Sequence, residues 1–489
     1  MEKHIPTLKA ESIPLSSFDM QGSFSNIPYA FFYENRERIA AFMSSALLKE
    51  ALGRALEDFP ILAGHLRARG TGRMEVVVDP DHVNLPEFIE STCDTITYDD
   101  IKSKTFAWDS WPADVATVGG YAVPAASDGE VKFLNVHVVR LKDNTGAILF
   151  INIPHYAVDG SGYFAFIQRW ATLAASLSSS SGGSNASGAV PSPRLVIDRA
   201  CIKARLPTER RALDSLTDSM YSTANFLCDT LAWLAPTTLG KLLSKLGGLS
   251  KGEAHLFHIS KATLNELRDA ASKHIPSGHR LSSNDLLVAL LSKTYVQSQL
   301  QPEPKAGWFS AAPKSAEDFF VRIPCDARPR LGMREDGFTG NLLIPMLVKN
   351  RLDELAKPTT AETLATAALK VRETIGSIDA PLIASFHDII SKYPSSHMRP
   401  LAFASRNQTT SMVTTSQVGF GLYNADFGFG TPGFVSLTKV FEGGYTLAAF
   451  LPTAPHQGEG INVLLTTNPV AMGNILKNEF WREKTTLLW

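Results

Sequence analysis

Cysteine is scarce in this chain: 489 residues contain four, Cys93, Cys201, Cys228 and Cys325, and none forms a CxxC pair. That excludes a disulfide scaffold and a zinc ribbon. A charge of one sign is also lacking. The 47 Lys and Arg nearly cancel the 48 Asp and Glu, so no basic field exists to hold nucleic acid or an anionic membrane. No stretch approaches the ~20 apolar residues that span a bilayer. The opening MEKHIPTLKAESIPL has no unbroken apolar core of the signal-peptide kind, and the closing Thr-Leu-Leu-Trp carries no address signal. Nor is there an internal repeat of fixed period. What is present is an ordinary globular composition, 44% hydrophobic and 19% charged, on a chain about three times a typical domain length. These features predict a soluble, intracellular, two-domain protein that recognises its partners in a pocket and leans toward catalysis.

Hydrophobic spacing organises the first half. The stretch from Glu37 to Leu66 has helical periodicity and is stopped by Phe59-Pro60. The runs VKFLNVHVVRLKD and GAILFINIPHYAVDG, joined at Asp143, Asn144 and Gly146, read as a hairpin of two buried strands. An amphipathic segment, SGYFAFIQRWATLAASL, follows and ends in SSSSGGSNASG, a flexible insertion from Ser178 to Gly188. A connector with helical pieces leads to a second half that opens HLFHISKATLNELRDAAS and continues with a helix starting near Ser282. Alternating strand-like stretches fill the remainder. The pattern predicts an α+β fold in two halves, not a doubly wound sheet, divided into 1–192, a crossover 193–252, and 253–489.

One segment stands out for chemistry: His155-Tyr156-Ala157-Val158-Asp159-Gly160, at the end of an apolar strand and the start of a helix. Rigid elements often present functional side chains at such ends. Imidazole titrates nearest neutrality, so His155 can serve as a general base, with Asp159 orienting it or pairing with a cation. From 12 His, 25 Asp and 34 Gly, about 0.04 HxxxDG matches arise by chance. A core histidine before an Asp-Gly turn nevertheless fits the same residues. Other matches fail on context. Gly428 to Gly433 fits GxGxxG but opens no helix, and Asp426-Phe427-Gly428 lacks the HRD loop of a kinase. Gly248 to Gly252 fits GxSxG around Ser250, yet a helical run precedes it where a nucleophile elbow needs a strand. His255 and His258 alternate with apolar residues as on a strand surface, and Cys325 reads as packing.

HxxxDG together with Asp426-Phe427-Gly428-Phe429-Gly430 resembles the BAHD acyltransferase family, whose hallmarks are HxxxDG and DFGWG. Further likenesses occur in the family's order: Pro14-Leu15-Ser16-Ser17-Phe18-Asp19, Phe59 to Leu66, Ser282-Ser283-Asn284-Asp285, Asp326-Ala327-Arg328-Pro329-Arg330, Gly340-Asn341 and Thr415-Ser416. Phe429 and Gln417 stand where the family has tryptophan, as in a divergent fungal branch that includes trichothecene acetyltransferases. The resemblance implies two chloramphenicol-acetyltransferase-like domains, each a mixed sheet with flanking helices. It also implies acyl transfer from acyl-CoA, a co-substrate and not a resident cofactor, to a small alcohol or amine, with acetyl as the default group. In that reading His155 is the base and Thr415, or Ser416, donates to the oxyanion. Asp159 and Gly160 support the site, and Arg328, with Arg330 next, pairs with Asp159. Asp426, Gly428 and Gly430 shape a remote loop. Ser282, Ser283 and Lys293 are candidate coenzyme A contacts, although solvated helix residues are the favoured reading of all three. No metal is implied. The rival readings are a condensation-type enzyme with a carrier-bound donor, a hydrolase using Ser250, and a non-catalytic ligand-binding relative.

Overall fold

The computed structural model describes residues 6–22, 26–70, 72–112, 132–180, 195–213, 221–223, 225–226, 252–300, 318–395, 410–438 and 446–489. Ser250, Cys228, most of the connector and residues 181–188 of the insertion lie outside the described residues. The first half supplies β1 (Glu11–Pro14), β2 (Asn26–Glu34), β3 (His65–Ala68), β4 (Met74–Val78), β5 (Glu87–Cys93), β6 (Asn135–Leu141) and β7 (Gly146–Pro154). The second supplies β8 (Glu253–Ser260), β9 (Asp318–Asp326), β10 (Leu343–Arg351), β11 (Ser411–Ser416), β12 (Phe434–Leu437), β13 (Leu447–Pro452), β14 (Gly460–Thr467) and β15 (Thr486–Leu487).

Among the described residues these make a five-stranded sheet in the order β12-β2-β7-β6-β5 and a seven-stranded sheet in the order β10-β9-β11-β13-β14-β8-β15. A small sheet, β1-β4-β3, stands apart from them. Both large sheets are mixed: β5 runs parallel to β6, and β11 runs parallel to β9 and β13, while the other pairs are antiparallel. The fold is therefore the two-part α+β arrangement that the sequence pattern predicts.

The β6–β7 hairpin turns at Asp143 and Asn144, both with φ of +53°, a conformation that Asn and Asp tolerate better than most residues. Every residue of β7 is buried, as are all but the last of β2, because both faces are covered. That accounts for their unbroken apolar runs. One cover is the helix Ser45–Asp58, shorter than the periodicity predicts. Ser44 caps it by accepting from the Leu47 amide, and residues 37–44 form turns ahead of it. The helix Gly160–Ser180 lies beside it, tied by Trp170 Nε1 donating to the Leu48 carbonyl at 3.0 Å and by Arg169 to Asp58 at 2.6 Å. Its last turn contains Ser178 to Ser180, so the first three residues of the predicted insertion are helical.

Two hydrophobic cores result, and the chain crosses between them. Phe427, Phe434 and Val435 from late in the sequence pack in the first core, where β12 pairs antiparallel with β2. Phe18 and Ile202, from early in the sequence, pack in the second.

Candidate active site

β7 ends at Pro154 and delivers His155 half-buried at the junction of the two halves. Its Nδ1 lies 2.9 Å from Asn341 Oδ1, and Asn341 Nδ2 donates to the His155 carbonyl at 2.7 Å. Nε2 has no protein partner among the described residues. With Nδ1 engaged as donor, the lone pair of the uncharged ring sits on Nε2. An imidazole in that tautomer can take a proton from an approaching alcohol or amine. The sequence reading singled out Gly340-Asn341 without giving Asn341 a task. A polar residue following Gly340 could have signalled one, but its distance of 186 residues from His155 hid the contact.

Asp159 is fully buried, and its carboxylate is engaged by groups other than His155. Arg328 grips it with both terminal nitrogens, at 2.8 and 3.1 Å, and the amides of Gly162 and Leu342 donate to it at 3.1 and 3.2 Å. Arg328 further donates to Asp326 and to the carbonyls of Phe338 and Gly340. Burial works against its charge, but Asp159 and then Asp326 outweigh it, so the guanidinium is held more firmly protonated than usual. Arg330 instead reaches the carbonyls of Asp326 and Ile375. Breaking a buried pair of this kind strands a charge, at a cost of roughly 3–5 kcal/mol.

The glycines of this segment allow close approach between the halves. A Cβ on Gly160 would lie 2.6 Å from the Phe420 ring, and one on Gly162 would collide with the Thr339 carbonyl. Thr415 lies half-buried on β11, in register with Ala449 of β13, and Ser416 beside it is exposed. Two residues beyond Thr415, Gln417 accepts a hydrogen bond from the Tyr29 hydroxyl of β2, which ties β11 to the sheet that carries His155. Burial pushes the Tyr29 phenol well above its ordinary value. Gln417 thus fills the family's tryptophan position with a buried polar tie.

Asp426 gathers a tight loop: its Oδ1 accepts from the amides of Gly428, Phe429 and Gly430 at 2.8, 3.1 and 3.0 Å. Gly428 and Gly430 both have φ of +94°, where a side chain is strained. Phe427 meets Tyr33 and Trp170 edge-on, and Phe429 meets Phe42. The loop therefore joins the first core, and the strand β12 that follows it, not a helix, removes the dinucleotide-loop match.

The candidate coenzyme A contacts are engaged elsewhere. Ser282 caps the helix Ser283–Gln299 in a reciprocal box with Asp285, and the Ser283 hydroxyl accepts from Arg268 at 2.6 Å. Lys293 is fully buried, and its ammonium donates to the carbonyls of Leu355 and Lys357 at 3.3 and 2.9 Å. Burial, then Lys357, lowers its pKa to about 8. This corrects the expectation for Lys293 on both counts, since it is neither a solvated helix residue nor open to a phosphate. Burial pushes the Cys325 thiol up to about 11, as befits packing in β9. His258 meets Asn462 and His255 meets Glu253, and no group of three metal-ligating side chains occurs among the described residues.

A strand-end histidine is thus braced across two mixed-sheet halves. The model of the Transferase family matches residues 4–190 and 250–480, and the chain belongs to this family, the BAHD acyl-CoA-dependent acyltransferases. It is 24% identical over 479 residues to putrescine hydroxycinnamoyltransferase 1 of Oryza sativa subsp. japonica, covering 96% of this chain and 94% of that protein. Its fold is similar to F. sporotrichioides TRI101, solved in complex with coenzyme A and T-2, with a TM-score of 0.72, 16% identity, and coverage of 98% of this chain and 100% of that one. It is also similar to vinorine synthase, with a TM-score of 0.59, 15% identity, and coverage of 96% and 94%. No described helix is long and apolar enough to cross a membrane.

Proposed function

We propose that this enzyme transfers an acyl group, acetyl in the first instance, from acyl-CoA to a hydroxyl of a small secondary metabolite, with His155 as general base. The observation that carries the reading is the His155–Asn341 contact of 2.9 Å, which leaves Nε2 free to accept a proton. As the acceptor oxygen attacks the thioester carbonyl, Nε2 takes its proton. Collapse of the tetrahedral intermediate breaks the C–S bond, and the same proton passes to the departing sulfur. A ternary complex suffices, because a thioester is already activated. Thr415 donates to the oxyanion, the contribution expected of a preorganised donor. Asp159 with Arg328, and Asp426 with its loop, hold shape and move no proton. The working division is 1–192 and 253–489 joined by 193–252, acting as a cytoplasmic monomer on acyl-CoA and a small-molecule acceptor. An amine acceptor is the second reading, favoured by the putrescine in the name of the rice relative.

The test is thiol release from a panel of acyl-CoAs with pooled alcohols and amines, comparing the native chain with His155→Ala. Acceptor-dependent release that falls roughly 10²–10⁴-fold in the variant is expected for loss of a base. Equal release from both proteins would overturn the role of His155. Binding of acyl-CoA without turnover of any acceptor would favour the non-catalytic reading, and turnover only of a carrier-bound donor the condensation-type one.

A further inference from the structure

The contacts around Asn341 carry an inference that rests on the reading of His155 as the base. Asp19 is wholly buried. Its Oδ1 accepts from the Asn341 backbone amide at 2.8 Å and from Asn341 Nδ2 at 3.1 Å. Its Oδ2 accepts from the Ser16 amide and hydroxyl at 2.8 and 2.7 Å, and from Arg199 Nε at 3.4 Å. The amides, the guanidinium and the Asn341 side chain can only donate to it, and the Ser16 hydroxyl is free to do the same, which suits a carboxylate.

That arrangement decides which way the Asn341 amide points. Its Nδ2 faces two groups that can only accept, Asp19 Oδ1 and the His155 carbonyl. Its Oδ1 must therefore face the ring, and only an Nδ1–H satisfies it. Without the Asp19 carboxylate, half of that constraint disappears. The amide could then turn over and place the ring's lone pair on the inner nitrogen, where no substrate reaches it. Arg199 comes from the segment between the halves and is itself buried. Besides pairing with Asp19, it donates through NH2 to the carbonyl of Ala157, inside HxxxDG, at 2.9 Å. Its segment is anchored to the second half where the Val196 amide donates to the Gly337 carbonyl and the Thr339 amide to the Val196 carbonyl, at 2.9 and 3.2 Å.

We propose that Asp19 and Arg199 are positioning residues for acyl transfer, acting through Asn341 to hold His155 in its Nδ1–H tautomer, so that the crossover segment is part of the catalytic support. Two sets of charged groups surround the histidine segment. One is Asp19 with Arg199; the other is Asp159 with Arg328, which also holds Asp326. Removing one member of the first pair unbalances it in a known direction. Loss of the Asp19 charge disfavours imidazolium, and loss of the Arg199 charge favours it.

The experiment compares Asp19→Asn, Arg199→Met and a control, Ser17→Ala. The control loosens the short helix Ser17–Met20, which carries Asp19, by removing the 2.8 Å contact of Ser17 with Ser391, without touching the carboxylate. Steady-state kinetics with acyl-CoA and an accepted alcohol are followed from pH 5 to 9. Asp19→Asn is expected to lose about tenfold or more in kcat, with little change in KM for either substrate. The acid limb of its kcat/KM profile moves down by about half a unit, and that of Arg199→Met moves up by a similar amount. The control keeps the wild-type limb even if its melting temperature falls. Limbs that stay put, or move together, overturn the proposal while leaving the acyltransferase reading intact. Failure of that reading shows separately, as absence of wild-type turnover or indifference to His155→Ala. Nitrogen-15 NMR of the wild-type imidazole covers the case of variants that do not fold. A ring protonated at Nδ1 is expected, and one protonated only at Nε2 overturns the proposal.

Discussion

At the scale of single residues, the buried ion pair of Asp159 and Arg328 separates what looks catalytic from what holds shape. Their bidentate contact at 2.8 and 3.1 Å joins the start of a first-half helix to the strand end of the second half. Arg328→Met should destabilise the fold by about 3–5 kcal/mol, since it leaves a buried carboxylate unpaired. Adding Asp159→Leu should recover much of that loss, because an apolar pair strands no charge. Urea unfolding of the two variants checks this, and a double variant no better than Arg328→Met would contradict it. HxxxDG was legible in the sequence because its six residues are contiguous. Asn341 and Asp19 could be quoted as motif positions, but their tasks could not be read, because each acts on a residue far along the chain.

At the scale of elements, two features lend themselves to tests. Asp426 satisfies three amides of a loop containing two glycines at φ of +94°. Asp426→Ala should cost about 1–3 kcal/mol as those amides lose their partner, measurable as a lowered melting temperature. The helix Ser283–Gln299 supplies a pH test through Lys293. Its folded pKa of about 8 lies below the ordinary lysine value of 10.5. Between those values the unfolded chain binds more protons than the folded one, so this residue makes stability rise with pH across that window. Lys293→Met should therefore gain most, relative to the native chain, at pH 7 and progressively less toward pH 10. Paired thermal melts at pH 7 and 9.5 decide it, and a gain that grows with pH would contradict the assignment. Helix caps such as Ser282 were readable because they are local. The fate of Lys293 was not, since burial belongs to the whole packing arrangement.

At the scale of the molecule, the two halves are not interchangeable modules. The edge strand β12 and the aromatic plug Phe427 complete the first core, although both come from beyond residue 420. The last residues return as well: the Leu488 carbonyl accepts from Thr105, and the Trp489 ring packs on Trp108 at 5.3 Å. Residues 1–252 produced alone should therefore expose an unpaired edge at β2 and an open core, and should aggregate or bind hydrophobic dyes. Adding the remaining residues as a separate chain during refolding should rescue solubility. A soluble, cooperatively melting fragment 1–252 would refute this account of the fold.

Contiguous patterns determined what was legible from the amino acids alone. The buried hairpin, the strand-end histidine, the capped helix at Ser282 and the ordered likeness to one enzyme family all depend on neighbours a few residues apart. Periodicity and capping are local physics, and they survive without knowledge of the fold. Tertiary structure alone decided which nitrogen of His155 is free, that Gln417 ties β11 to Tyr29, and that Lys293 is buried. Each of these is a hydrogen bond or a loss of solvent between segments remote in sequence. Such contacts depend on where the sheets cross, and no short pattern of residues encodes that position.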